Sequence, residues 1–268
     1  MHLKRILAAL VFTPLFLLLI IKGSYFHYSI LVLVLASLGL WEYFNLVGDR
    51  IDRKMRYIGI LWGILLAGGL YVGSSQVIIA MLTFGFISIC LLRLSKAGSL
   101  GTVFQEIGYT FIGPLYVGLL LGHLTLIRAT VEGREYTLLL FLTIWMGDIA
   151  AFYTGLSIGK NKLYPEISPN KTVEGAIGGI IGCVIVVAAA RVLYMKQMSI
   201  VDVAVISIGI AVMGQLGDLC ESMFKRAAGV KDSGNLIPGH GGILDRFDSV
   251  MFAAPFLYYY LVFIKGLN

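Results

Sequence analysis

Cysteine is scarce in this chain and nowhere clustered. Cys90, Cys183 and Cys220 sit singly inside apolar runs with no CxxC spacing. That excludes a disulfide framework and a zinc site, leaving the three as small buried hydrophobes. Charge is scarcer still, at 13% of 268 residues against 58% hydrophobic. A mean hydropathy of +0.88 excludes an ordinary soluble domain and points to a polytopic membrane protein. The formal net charge of +6 is no sign of nucleic acid in such a chain, because basic residues mark the cytoplasmic loops of membrane proteins. There is no GxxxxGK[ST] loop, internal repeat, low-complexity tract or soluble linker.

What is present is a series of apolar runs. A bilayer needs about 20 residues per helix, and nine runs approach that length: 5–22, 28–47, 57–73, 76–94, 107–127, 136–158, 175–195, 200–220 and 248–265. The first follows Lys4-Arg5 and resembles a signal peptide, but it lacks an A-x-A cleavage site, so a retained helix is expected. Gly113-Pro114 interrupts the fifth, where proline removes an amide donor and should kink the helix. With the N-terminus inside, only Lys22, Arg128, Arg134, Arg191, Lys196 and Lys265 of the 21 Lys and Arg fall outside. The fold expected is therefore all-α, a single integral membrane domain over 1–268 with a cytoplasmic N-terminus. Spans within 1–130 read as scaffold and 136–268 as the catalytic half. Glycines four apart (Gly59/Gly63, Gly69/Gly73, Gly175/Gly179, Gly178/Gly182) suit close helix packing within the chain and are also compatible with a homodimer.

The longest polar stretch is Ser222 to Asp248, SMFKRAAGVKDSGNLIPGHGGILDRFD. Lys225, Arg226 and Lys231 supply cations for phosphate oxygens. Asp218, just upstream, joins Asp245 and Asp248, which are three apart and share a face if a helix has begun there. Magnesium takes one or two carboxylates and bridges substrate phosphates, so this composition points to Mg²⁺ with a phosphorylated ligand; a salt-bridge network is the plainer alternative. Asp148 lies deep in the sixth span, where an ionisable group faces a polar cavity or pairs with another helix. In the loop before the seventh span, Asn170, Lys171 and Thr172 stand where free amides and the helix dipole favour an anion. His240 serves either as polar lining or as a phosphate contact, and Arg246 either pairs with carboxylates or binds phosphate.

The pattern SxFKRxxxxKDxGxxIPxHGGIxDRFD resembles the signature of the phosphatidate cytidylyltransferase family, the CDP-diacylglycerol synthases. SPNKTVEG (168–175) is similar to that family's second recurring stretch, with Val173 where an aromatic is usual. The resemblance implies transfer of the cytidylyl group of CTP to phosphatidate in a bacterial-type inner membrane, with Mg²⁺ and a site open to the cytoplasm. It further implies Asp218 and Asp245 as metal ligands, Asp248 and Asp148 in support, and Lys225 and Arg226 on reacting phosphates. Lys171, Asn170, Thr172, Ser222, Lys231, Asp232, His240 and Arg246 are the implied substrate contacts. A CTP-dependent lipid kinase and a cation-coupled transporter are the rival readings.

Overall fold

The structure is a computed structural model that describes residues 14–95, 100–236 and 241–267. Among these, eight helices are long and apolar enough to cross a membrane. The all-α, polytopic expectation holds, and the chain is an integral membrane protein. The start of the first expected span, 5–13, lies outside the described residues; its remainder, 14–22 (α1), is helical.

Cα packing divides the chain into two units. The first comprises the described residues of 23–126 and 232–245, and the second comprises those of 14–22, 127–231 and 246–267. One limit between the units falls between Leu126 and Ile127. The segment 232–245, however, packs with helices that the sequence marked as scaffold.

The first unit contains α2 (Tyr25–Val47), α3 (Arg53–Val72), α4 (Ser75–Leu94) and α5 (Val103–Gly113), which runs through a π-helical turn, Pro114–Leu119, into α6 (Leu120–Ala129). Proline cannot donate to the preceding turn, and the helix answers by widening its hydrogen-bond register at Pro114 rather than ending. Trp62 anchors the core. Its ring lies 5.2 Å from that of Phe111 and its indole N–H donates to Met81 O at 2.9 Å. Met55, Leu66 and Ile89 complete the buried cluster. Arg93 and Glu106 form a buried ion pair at 2.9 Å between α4 and α5, and Thr102 donates to the second Glu106 oxygen at 2.7 Å. Breaking such a pair from one side leaves an uncompensated buried charge.

The second unit is built on α7 (Gly133–Ile158), α8 (Val173–Leu193), α9 (Ile200–Ala227) and the greater part of α10 (Leu244–Tyr259). Helix α8 has two unlike faces. Ile177, Ile181 and Ile185 are exposed at four-residue spacing, as a lipid-facing row requires. Its glycines turn instead to α7: a Cβ on Gly175 would lie 2.9 Å from Ala151 O, and one on Gly182 would lie 2.6 Å from Ala150 Cβ. Gly59 and Gly63 abut α2 in the same way, through Phe44 and Leu40. Of the glycines in the rows compatible with a homodimer, Gly59, Gly63, Gly175 and Gly182 are thus engaged against helices of the same chain, whereas Gly73 meets nothing within 4 Å. Gly178→Leu, with no room beside Thr154, should cost about 1–3 kcal/mol as an overpacked contact. Thermal unfolding in detergent checks this, and an unchanged midpoint would contradict so close an approach.

Two boundaries differ from expectation. Residues 168–172 are not plain loop: β2 (Ser168–Thr172) pairs antiparallel with β1 (Lys162–Tyr164), in register Lys162 with Thr172 and Tyr164 with Ser168. Helix α9 does not stop near 220 but continues for two more turns. At about 1.5 Å per residue its 28 residues exceed a hydrocarbon core of about 30 Å, so its end extends beyond the apolar layer. Lys225 and Arg226 lie in that last turn, where cations suit the helix dipole.

Candidate active site

In the second unit the SPNKTVEG stretch meets the helix that leads into the second motif. Lys171 Nζ, on β2, lies 2.6 Å from Asp218 Oδ2, on α9. Both side chains are about a third exposed, at 28% and 32%, although the Lys171 Nζ itself is buried against its partner. Gly217 permits this arrangement, because any side chain there would strike the backbone carbonyl of Asp248 where α9 passes α10. Four carboxylates consequently fall within electrostatic reach of one another: Asp248 interacts with Asp218, Glu221 and Asp148, and Asp148 also with Lys171. Glu221, whose side chain is 1% exposed, pairs with Lys225 one turn on. Ser222 donates weakly to Asp218 Oδ1 at 3.4 Å.

Asp148 lines a cavity enclosed by α7, α8, α9 and α10, together with Ala151, Gly179, Cys183, Gln215 and Ser249. Gln215 does not project freely into it, since its amide donates to Ala176 O at 3.0 Å. Asp248 Oδ1 accepts from Ser249 N. The cavity is lined mostly by small and apolar side chains, with Asp148 as its one carboxylate; a carboxylate near others in such surroundings favours a neighbouring cation.

Other candidate residues have partners within the protein. Thr172 is the N-cap of α8, its hydroxyl accepting from Gly175 N at 3.1 Å, while Val173 N donates to Asn161 O at 2.9 Å. The start of α8 therefore presents its dipole rather than the free amides expected at these two positions. Glu174 secures the hairpin by accepting from Lys160 N and Asn161 N. Arg226 reaches Ile167 O at 3.2 Å and Val230 O at 3.3 Å, tying the hairpin turn to the end of α9. Asn170, Lys231 and Arg246 are exposed. His240 lies outside the described residues.

The first unit holds a separate carboxylate arrangement around 232–245. Asp245, in the first turn of α10, accepts at a single oxygen, Oδ2, from Ser233 N at 2.9 Å, Ser233 Oγ at 2.9 Å and Gly242 N at 2.8 Å. Asp232 beside it is exposed. Gly241 has φ +79°, a left-handed conformation that glycine adopts without strain. Gly242 must be glycine for another reason, since a Cβ would strike Ser233 Oγ and Glu42. Glu42 was not among the expected site residues. It comes from α2, and the signal was an ionisable residue inside an apolar span. The expectation that Asp245 and Asp248 share one helix is met, because α10 begins at Leu244.

Among the described residues no three His, Cys, Asp or Glu side chains are grouped closely enough to hold a metal on their own. Magnesium does not require that, for it keeps waters and substrate oxygens alongside one or two carboxylates. Asp148, Asp218, Glu221 and Asp248 interact, and within the group Lys171 pairs with Asp218 and Lys225 with Glu221. A divalent cation that keeps its waters fits a group of carboxylates of this kind.

The membrane-spanning helices of the second unit thus carry a mixed carboxylate–lysine cluster and a cavity that Asp148 lines. The model of the cytidylyltransferase family matches residues 3–264, and the chain belongs to that family. It is 36% identical over 261 residues to the phosphatidate cytidylyltransferase of Bacillus subtilis (strain 168), covering 96% of this chain and 97% of that protein. The protein of the same name from Staphylococcus aureus (strain COL) is 34% identical over 256 residues, 95% of each chain. Another, from Staphylococcus saprophyticus, is 46% identical over 154 residues, 58% of each.

Proposed function

We propose that this protein transfers the cytidylyl group of CTP to phosphatidate, yielding CDP-diacylglycerol and pyrophosphate for phospholipid synthesis. The observation that carries the reading is the Lys171–Asp218 pair, which brings the SPNKTVEG stretch to the helix leading into the second motif, in a chain that the cytidylyltransferase family model matches over residues 3–264. A phosphate oxygen of phosphatidate attacks the α-phosphorus of CTP. The bond from that phosphorus to the bridging oxygen breaks, and pyrophosphate carries the electron pair away. No covalent enzyme intermediate is required, so the protein's contribution is positioning and charge neutralisation.

Lys171 and Lys225 lie beside carboxylates and exchange those partners for phosphate oxygens as substrate enters; Arg226, Lys231 and Arg246 add cationic charge around them. Asn170, Ser222 and Asp232 are offered as polar contacts to substrate. Asp218 and Asp248, with Asp148 in support, are the ligands assigned to Mg²⁺. The ion, when bound, neutralises triphosphate charge and polarises the α-phosphoryl group. The excess of Lys and Arg in one set of loops supports an N-terminus and site on the cytoplasmic face. The bacterial source of the relatives supports residence in the cell membrane.

The test is purified full-length protein in mixed micelles with phosphatidate, Mg²⁺ and CTP labelled either in cytidine or at the γ-phosphate. Label from cytidine should enter the lipid, and a chelator should abolish this. Transfer of γ-label instead would identify a lipid kinase and overturn the assignment.

A further inference from the structure

We infer that Glu42 is a positioning residue for this reaction: a buried carboxylate on α2 that holds both described ends of the segment 232–245 and the entry into α10. The inference rests on the proposed cytidylyl transfer and adds a residue that neither motif contains.

A carboxylate in the middle of an apolar helix is costly unless every oxygen is satisfied. Glu42 is 2% exposed, and its oxygens are satisfied by one segment, about two hundred residues away in the chain. Oε1 accepts from Ile243 N at 2.9 Å, and Oε2 accepts from Leu244 N at 2.9 Å and Ser233 Oγ at 3.2 Å. The first amides of a helix have no partner within it, so Glu42 supplies to α10 the cap that a local side chain would otherwise provide. Its negative charge also complements the positive end of the helix dipole.

The surrounding sequence makes room for this carboxylate and for nothing larger. A Cβ on Gly234 would lie 2.7 Å from Glu42 Oε1, and one on Gly242 would strike Oε2. Ser233 lies between two carboxylates, 2.9 Å from Asp245 Oδ2 and 3.2 Å from Glu42 Oε2. Its hydroxyl carries one proton and donates to one of them at a time. Asp245 and Glu42 are thereby held as one assembly: Asp245 closes the segment on itself, and Glu42 fastens it to α2. The turn of α10 so fixed carries Asp245 and leads within one further turn to Asp248.

The test uses the full chain in detergent with Glu42→Gln, Glu42→Asp and Ser233→Ala. Gln places an amide group where an acceptor is needed. Glu42→Gln should lower kcat at least tenfold while changing KM for CTP less than threefold. Hydrogen exchange should quicken at the Ile243 and Leu244 amides and stay unchanged in α3 and α4. Ser233→Ala should lower kcat several-fold with the same pattern. Wild-type kcat in Glu42→Gln overturns the inference. So does an exchange increase spread evenly over the first unit, which marks a general packing role. If Glu42→Gln fails to fold, Ser233→Ala decides, and unchanged kcat there overturns it. Absence of cytidylyl transfer in the wild-type protein would instead remove the proposed function and leave the exchange result standing.

Discussion

Asp218→Asn is expected to reduce cytidylyl transfer by roughly 10²–10³ or more, the range for removing one preorganised charge from a phosphoryl- or acyl-transfer site, while leaving the protein folded. The two effects separate because of where the residue sits. Its partner Lys171 is 2.6 Å away, but each side chain remains about a third exposed. Partly exposed ion pairs contribute about 0–1 kcal/mol to stability, and asparagine still offers the buried Lys171 Nζ a carbonyl oxygen to donate to. The same carboxylate interacts with Asp248 and with Asp148, which lines the cavity, so its charge is expected to act on substrate more than on folding. Lipid-bound cytidine and the thermal midpoint, measured on one preparation, check both halves. A variant with near-normal turnover, or one that loses activity only by unfolding, would remove Asp218 from the chemistry.

How far the amino-acid sequence reveals this site depends on how local each interaction is. Helix positions were legible because long apolar runs have one cheap conformation in a bilayer, where every backbone amide must find a partner within its segment. The run 28–47 became α2 at Tyr25–Val47 and the run 76–94 became α4 at Ser75–Leu94. Ends were less legible: α9 continues to Ala227 because polar residues are as content in an extended helix as in a loop once outside the apolar layer. Lys171 and Asp218 were each nominated from motif chemistry. Their direct contact was not, since forty-seven residues and two turns separate them. Thr172 had two competing uses, a ligand contact or a helix cap, and sequence alone does not rank a cap against a phosphate. Glu42 lay furthest from view. Its partners are the amides of Ile243 and Leu244, and backbone amides leave no signature in residue identity. Only the glycines at 234 and 242 hint that something approaches closely there.

Asp245→Asn is the second substitution expected to have a large effect, and the structure makes it more discriminating than Asp245→Ala. Ser233 N, Ser233 Oγ and Gly242 N all converge on one oxygen, Oδ2. An asparagine can place its carbonyl oxygen at that point and keep all three donors, losing the negative charge and exchanging the other oxygen for an amide group. Alanine removes both the charge and the acceptor, so two backbone-linked donors lose their partner at about 1–3 kcal/mol for each one left buried and unsatisfied. If Asp245 contributes charge to the reacting phosphates and their Mg²⁺, Asp245→Asn should fall to background turnover with a thermal midpoint close to wild type. Asp245→Ala should lose both activity and stability. If the residue serves only to close its segment, Asp245→Asn should retain most of its turnover while Asp245→Ala loses it. Near-normal activity in Asp245→Asn would therefore move the residue from metal ligand to loop brace and leave Asp218 and Asp248 as the carboxylates to test for Mg²⁺. Titrating Mg²⁺ against turnover in the two variants separates these outcomes, because loss of a ligand raises the Mg²⁺ concentration needed and loss of a brace does not.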